Sequence, residues 1–210
     1  MKVTVLGAAG ATGKQLVEQA LAQGHSVTAF VRNSQSVQQL AERISVVEGD
    51  ALKQETLSPA IEGQDAVLSA LGPPRDTSGD TQTIAAITNV VSAMEQVGTR
   101  RLIYLSAFGV GDSRAQTSVL FRWVAFRLLS LNDLYANKEQ EEEVIRRSTG
   151  LDWTIVRAAH LIDKPGTGSY RVIEGRGKLV EQIARADVAA FMLTQLADDR
   201  YIRKAVAIAR

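Results

Sequence analysis

The sequence contains no cysteine and only two histidines among its 210 residues. The absence of cysteine excludes disulfide bonds, thiolate metal ligands and cysteine nucleophiles. With two histidines, a metal site built from several imidazoles is not expected, and we predict no metal. No apolar run reaches the ~20 residues of a transmembrane helix, and the N-terminal apolar segment is too short for a signal peptide. We therefore expect a cytoplasmic protein without an integral membrane segment.

The chain also lacks an excess of one charge, because 24 basic and 23 acidic residues give a net charge of +1. Proteins that bind nucleic acid usually carry a basic excess or patch, so we expect no nucleic-acid partner. Hydrophobic residues make up 45% of the chain and charged residues 22%, which is typical of a globular protein. The length suits one sizeable core, and we predict a single domain over residues 1–210, as a monomer or homodimer.

Short apolar segments alternate with amphipathic ones along the chain. Several apolar segments show no polar alternation, as in strands that are buried on both faces. This pattern predicts an α/β fold: a Rossmann-like, doubly wound parallel sheet with helices on both faces. A small C-terminal elaboration follows, with substrate-side elements mainly at 109–137 and 158–184. The predicted strands are 3–6, 26–31, 44–47, 66–71, 102–105, 153–156, 169–173 and 205–208, and the predicted helices are 13–23, 36–42, 54–62, 81–96, 136–148 and 185–196.

A G-x-x-G-x-x-G motif lies between the first predicted strand and the first predicted helix. Gly7 permits a tight turn, Gly10 lets the backbone approach a pyrophosphate, and Gly13 lets the helix pack closely against the strand. The N–H groups at the start of the helix are then available to phosphates. A glycine-rich turn without a ligand is the alternative. We predict a dinucleotide site that includes Gly7, Ala9, Gly10, Ala11, Thr12 and Gly13.

The residues after the second and third predicted strands bear on the choice of cofactor. NAD-binding folds usually carry Asp or Glu after the second strand, whereas this chain has Arg32, whose guanidinium suits a 2′-phosphate. We therefore predict NADPH/NADP+, a surface arginine being the alternative. Asp50 could hold the adenine amino group, or cap the following helix, or do both. Ala51, and Leu71 and Gly72 after the fourth strand, complete the predicted cofactor site.

Together with Leu105-Ser106-Ala107-Phe108 and Thr154-Ile155-Val156-Arg157, these segments resemble the atypical short-chain dehydrogenase/reductases of the NAD(P)H-binding type. The resemblance covers nearly the whole chain and points to the flavin reductase/biliverdin-IXβ reductase group. It implies an NADPH-dependent oxidoreductase that reduces a planar acceptor, namely a flavin, a quinone or a linear tetrapyrrole. It also implies that Ser106 and His160 lie beside the nicotinamide and the substrate, and that Lys138 lies near the nicotinamide ribose.

Ser106, His160 and Lys138 are accordingly the candidate catalytic residues. Ser106 lies at the carboxyl end of a central strand, where open α/β sheets bind ligands. His160 is predicted in a loop after the next strand, and histidine titrates near neutrality, so it could donate a proton. Each residue also has a structural interpretation: a strand-end hydroxyl bonded to backbone, a partly buried loop histidine, or a helix-surface lysine beside the acidic run 139–143.

Phe108 and Arg157, with His160, form the predicted substrate pocket. The segment 119–131 is apolar nearly all round. It could be a helix over the substrate cleft, a dimer or partner surface, a helix on a membrane surface, or plain core.

Two other functions remain open. The first is a non-catalytic NADP(H)-binding redox sensor that acts through a protein partner. The second is an NAD(P)-dependent epimerase or isomerase, which the missing acid after the second strand disfavours. Ordinary short-chain dehydrogenases use a Tyr-x-x-x-Lys pair, and Tyr135 and Lys138 are one residue too close to match it.

Overall fold

The fold is described by a computed structural model for residues 1–72, 81–116, 132–173 and 182–210. Within these ranges, three short 3-10 helices accompany the strands and helices, at Ser34–Leu40, Gly111–Gln116 and Asp199–Tyr201. In chain order the main elements are β1 (Lys2–Leu6), α1 (Ala11–Ala22), β2 (Ser26–Val31), β3 (Ser45–Glu48), α2 (Gln54–Ile61), β4 (Ala66–Ser69), α3 (Gln82–Val97), β5 (Arg101–Ala107), α4 (Asn132–Arg147), β6 (Asp152–Ala158), β7 (His160–Ile162), β8 (Arg171–Ile173), β9 (Gln182–Ala184), α5 (Arg185–Thr194) and β10 (Lys204–Ala209).

The main sheet has eight strands in the order β3-β2-β1-β4-β5-β6-β10-β8. Every neighbouring pair from β3 to β10 is parallel, and β8 joins the edge antiparallel to β10. The strand order reverses between β1 and β4, so a crevice opens beyond their carboxyl ends, where open α/β sheets bind ligands. The predicted Rossmann-like fold class is confirmed.

Helices cover both faces of the sheet, and each face has its own apolar core. Adjacent residues of one strand pack on opposite sides: Leu68 joins the core beneath α1 and α5, whereas Val67 joins the core beneath α2, α3 and α4. Leu102 and Ile103 of β5 divide in the same way. This two-sided burial explains why several of the strands show no alternation of polar and apolar residues.

Local details differ from the sequence expectation. The predicted helix 36–42 is the 3-10 helix Ser34–Leu40. His160 was expected in a loop, but it opens β7, which pairs in parallel with β9 in a separate two-stranded sheet. The predicted strand 169–173 is shorter, as β8 (Arg171–Ile173). A strand of three residues is too short to show a periodic pattern, and its pairing depends on a partner far along the chain. Neither β7 nor the bounds of β8 could therefore be derived from the local sequence.

The apolar segment 119–131 lies outside the described residues, so its proposed roles remain predictions. Within the described ranges, none of the helices combines the length and apolar character that crossing a membrane requires.

Candidate functional site

A cleft of about 720 Å³ lies at the carboxyl ends of the central strands. The segments that follow β1, β2 and β4 form one part of it, and the end of β5 together with α4 forms another. All of the predicted cofactor residues except Gly13 line this cleft: Gly7, Ala9, Gly10, Ala11, Thr12, Arg32, Asp50, Ala51, Leu71, Gly72, Ser106 and Lys138. Its size is within the range of small-molecule and cofactor sites.

The three glycines of the loop differ in the space that a side chain would have at each position. Gly7 has a φ of +78°, and a Cβ there would lie 2.8 Å from the carbonyl oxygen of Ala70. A Cβ on Gly13 would lie only 2.0 Å from the carbonyl oxygen of Gly7, so this residue sets the close packing of α1 on the loop. At Gly10 the nearest atom would be 3.2 Å away, and this glycine lines the cleft. The loop therefore needs glycine for its own turn and packing at Gly7 and Gly13.

The start of α1 is free to bind an anion. Gly10 is the N-cap residue, so no side chain caps the helix, and the first turn contains no acidic residue. The exposed backbone N–H groups and the positive end of the helix dipole favour a phosphate at this point. The glycine cradle, the uncapped helix and the size of the cleft together fit a nicotinamide dinucleotide.

Arg32 and Asp50 lie on the β2 and β3 side of the cleft. Arg32 is exposed, and none of the described residues forms an ion pair or hydrogen bond with its guanidinium. Asp50 Oδ1 accepts from the backbone N–H of Leu52 at 3.0 Å. The N-cap of α2 is Lys53. The interpretation of Asp50 as the helix cap is therefore wrong. Asp50 lines the cleft, and its contact with the adenine amino group stays a prediction.

Lys138 is held by a buried group of polar side chains. Its ammonium donates to the hydroxyl oxygen of Tyr104 at 2.7 Å, to Glu141 Oε2 at 2.8 Å and to the carbonyl oxygen of Leu71 at 3.3 Å. These three acceptors match the three N–H donors of an ammonium. The Tyr104 hydroxyl donates to the same oxygen of Glu141. Burial and the neighbouring Glu141 carboxylate raise the pKa of Tyr104 well above its ordinary value, so the phenol stays protonated.

Ser106 belongs to a second buried polar group. Its hydroxyl donates to Glu142 Oε1 at 2.7 Å. The Arg157 guanidinium grips both oxygens of the same carboxylate, with Nε–Oε1 at 3.0 Å and Nη2–Oε2 at 2.7 Å. Its third nitrogen, Nη1, donates to Asp112. Burial disfavours ionised Arg157, but the bonds and charges of Glu142 and Asp112 prevail and raise its pKa.

Three residues expected around the substrate do not line the described cleft. Phe108 is buried in the core beneath α1 and α5. Arg157 is 3% exposed and bonded as above. His160 is exposed, although the next residue, Leu161, lines the cleft. Any role of these three residues toward a substrate stays a prediction.

The sequence interpretation missed Tyr104, Glu141 and Glu142. The acidic run 139–143 was weighed as a solvated helix face, which is wrong for Glu141 and Glu142, at 1% and 2% exposed, while Lys138 is 7% exposed. Glu143, in contrast, is exposed and pairs with Arg147 on the surface of α4 at 2.9 Å. The sequence did contain one signal of a buried acid, namely Arg157, because a charged residue within an apolar strand requires a buried partner.

A parallel doubly wound sheet, with a glycine cradle at the point where its strand order reverses, defines a dinucleotide-binding protein of the Rossmann type. The chain belongs to the NAD(P)H-binding family, whose profile matches residues 7–199. It therefore binds a nicotinamide dinucleotide, and the resemblance noted in the sequence is confirmed at this level.

The chain is similar in sequence to proteins of several organisms and similar in fold to several solved structures. The photosystem II assembly factor Ycf39 of Synechocystis is 30% identical over 93% of this chain, and the chain spans 55% of the length of Ycf39. The uncharacterized protein YwnB of Bacillus subtilis is 26% identical, with 93% and 92% of the two chains covered. The anaerobilin reductase ChuY of Escherichia coli O157:H7 has a similar fold, with a TM-score of 0.84, 24% identity and 100% and 97% of the two chains covered. A short-chain dehydrogenase/reductase of Veillonella parvula, solved with NADP, gives a TM-score of 0.80 at 22% identity, with 100% and 94% covered.

Proposed function

We propose that this protein is an NADPH-dependent oxidoreductase that reduces a planar acceptor such as a flavin, a quinone or a linear tetrapyrrole. The observation that carries the proposal is a single cleft that has a phosphate cradle in one part and two buried, polar-anchored side chains, Ser106 and Lys138, in another. The phosphate part provides binding, and the polar part can orient a reacting ring.

The preference for NADPH rests on Arg32. Its guanidinium lines the cleft after β2 and has no partner among the described residues, so it is available for a 2′-phosphate. The acid that would bind the ribose diol of NAD is missing at this position. Glu48, at the end of the neighbouring strand β3, accepts from the backbone N–H of Ser34 at 2.9 Å. That hydrogen bond lowers the pKa of Glu48 and engages its carboxylate.

The bound cofactor supplies the hydride, and the chain supplies position and a proton. Ser106 and Lys138 line the β5 end of the cleft, so they would orient the bound molecules there, with Lys138 beside the nicotinamide ribose as the resemblance implies. His160 is exposed beside Leu161, so it can deliver a proton to the reduced acceptor and recover it from solvent. A planar acceptor is supported by the resemblance to the flavin and biliverdin reductases and by the similar fold of the anaerobilin reductase ChuY.

The test is NADPH oxidation by the purified protein with FMN, a quinone and biliverdin offered in parallel, and with NADH as the cofactor control. Turnover with NADPH preferred over NADH is the expected result. Arg32→Gln should abolish that preference by weakening NADPH binding while NADH binding is retained. His160→Ala should lower the rate while the affinity for NADPH holds. A protein that binds neither cofactor would contradict the whole proposal.

A second candidate is an NADP(H)-binding protein that acts through a protein partner without turnover. The observation that favours it is the 30% identity to Ycf39, which is described as an assembly factor. Tight NADPH binding with no oxidation of any acceptor on the panel would support this candidate over the reductase.

A further inference from the structure

We propose that Ser106 acts as a hydrogen-bond acceptor toward the molecule bound in the cleft, and that Glu142 is the positioning residue that imposes this role. The inference rests on the proposed function and deepens it, because it states which chemical group must face Ser106. That group is a hydrogen-bond donor, which we assign to an N–H group of the ligand, rather than a carbonyl oxygen.

The proton of the Ser106 hydroxyl is engaged within the protein. Its oxygen lies 2.7 Å from Glu142 Oε1, which is hydrogen-bonding distance. Glu142 is 2% exposed and pairs with a guanidinium, so it is a carboxylate and has no proton to donate. The serine must therefore be the donor in this bond. A hydroxyl has one proton, and in Ser106 that proton is directed at Glu142.

The carboxylate of Glu142 is held rigidly by its other partners. Its Oε1 accepts from Ser106 and from Arg157 Nε, and its Oε2 accepts from Arg157 Nη2 at 2.7 Å and from Arg146 Nη2 at 3.5 Å. Asp112 pairs with the remaining nitrogen of Arg157. A bidentate pair with a buried guanidinium holds the carboxylate in one plane. Rotating Glu142 away from Ser106 would break this pair and leave buried charges unmatched.

Only the lone pairs of the Ser106 oxygen remain for a ligand. Ser106 lines the cleft, and its oxygen keeps lone pairs but no proton for a bound molecule. It can accept from an N–H group and cannot donate to a carbonyl oxygen without losing its bond to Glu142. Two sources offer such an N–H: the carboxamide of the nicotinamide, and the ring N–H of a flavin or linear tetrapyrrole acceptor. In either case the proton for the reduced acceptor must come from a residue other than Ser106.

Binding measurements distinguish the two sources. In the cofactor arm, titrations of the wild-type protein and of Ser106→Ala compare NADP+ with its 3-acetylpyridine analogue, which lacks the carboxamide N–H. In the acceptor arm, titrations in the presence of NADP+ compare a flavin with its N3-methyl derivative. In one arm the wild type should favour the N–H partner by roughly three- to tenfold, as one hydrogen bond predicts, and Ser106→Ala should bind both partners equally.

The matched control is Ser69→Ala, which removes a buried hydroxyl of β4 that has no hydrogen-bond partner among the described residues and does not line the cleft. Ser69→Ala should favour the ligand with the N–H group over its analogue as strongly as the wild type does. Glu142→Gln should reduce the discrimination, because an amide can donate to Ser106 and turn the serine proton toward the cleft. If Glu142→Gln does not fold, Ser106→Ala still decides, since it removes only one hydroxyl.

Equal binding of both partners by the wild type in both arms would overturn the inference, and so would full discrimination by Ser106→Ala. These outcomes are separate from a failure of the proposed function. Suppose that the protein binds NADP+ with the expected discrimination but fails to oxidise NADPH with any acceptor of the panel. That result would refute the proposed reductase activity and leave the role of Ser106 intact.

Discussion

Substituting Gly13 by alanine sets two physical effects against each other. Alanine is preferred over glycine within a helix by about 1 kcal/mol, so helix propensity alone predicts a more stable protein. The structure predicts the opposite. A Cβ at Gly13 would lie 2.0 Å from the carbonyl oxygen of Gly7 and 2.8 Å from Cα of Ala8, whereas ordinary van der Waals contact begins at 3.4 Å.

Both atoms belong to the backbone, so relief requires α1 to move away from the loop. Overpacking of this kind costs roughly 1–3 kcal/mol, and the rigid neighbours favour the upper end. After the gain in propensity, Gly13→Ala should lose about 1–2 kcal/mol of unfolding free energy, or roughly 2–8 °C in Tm for a chain of this length. Thermal unfolding followed by circular dichroism measures the shift, and NADPH titration should show weakened binding because the cradle is displaced.

Gly10→Ala is the matched control, because its Cβ would meet a single atom at 3.2 Å. This variant should keep its Tm within roughly 2 °C of the wild type, since its stability cost is about 0.5 kcal/mol. It should nonetheless weaken NADPH binding by about tenfold or more, since a methyl group would stand between the loop and the pyrophosphate. A higher Tm for Gly13→Ala, or unchanged NADPH affinity in Gly10→Ala, would refute this account of the loop.

Three further predictions concern other parts of the described structure. The raised pKa of Tyr104 contributes stability that is complete below pH ~10 and is lost as the pH rises toward the pKa of the folded state. The free energy of unfolding, measured by urea denaturation as a function of pH, should therefore fall less steeply at alkaline pH in Tyr104→Phe than in the wild type. An equally steep fall in both proteins would contradict the assignment. Burial opposes ionisation of Asp112, but Arg157 prevails and lowers its pKa. The stability that the ionised Asp112 contributes is therefore present above pH ~4 and is lost as the pH falls further. Asp112→Asn should lose less unfolding free energy between pH 4 and 2 than the wild type does, and equal losses would exclude the pairing with Arg157 as a source of stability. Asp187 accepts from the backbone N–H groups of Thr167 and Gly168 at 2.9 Å each, so Asp187→Ala should cost about 2–3 kcal/mol in equilibrium unfolding, and a loss below 0.5 kcal/mol would show that water replaces it.

The fold class and the phosphate end of the site were predictable because their signals are local. A strand buried on both faces is apolar throughout whichever strands flank it, and a helix shows its apolar stripe within its own residues. The glycine motif is equally local, because Gly7, Gly10 and Gly13 follow one another within seven residues between β1 and α1, and side chains at Gly10 and Gly13 would meet Gly7 itself. The contact that excludes a side chain at Gly7 comes from Ala70, which the motif does not reveal. The position of Arg32 followed from the end of β2 alone.

The chemistry at the other end of the cleft could not be derived in this way. Glu141 and Glu142 are indistinguishable in sequence from the exposed Glu139 and Glu143 beside them, and i,i+4 partners are present for buried and exposed acids alike. Their burial depends on where α4 crosses the sheet, which sets Glu142 against Arg157 of β6.

The sequence by itself therefore determined the doubly wound sheet, the dinucleotide cradle and the position of Ser106 at a strand end, because each depends on residues that are close along the chain. Only the tertiary structure decided that β8 runs antiparallel, that β7 pairs with β9, and that two buried ion-paired groups anchor Lys138 and Ser106. Those features depend on contacts between residues far apart in sequence: 36 positions separate Ser106 from Glu142. In the low-dielectric interior each such charge must find a partner, and the packing of helices on the sheet decides which partner it finds.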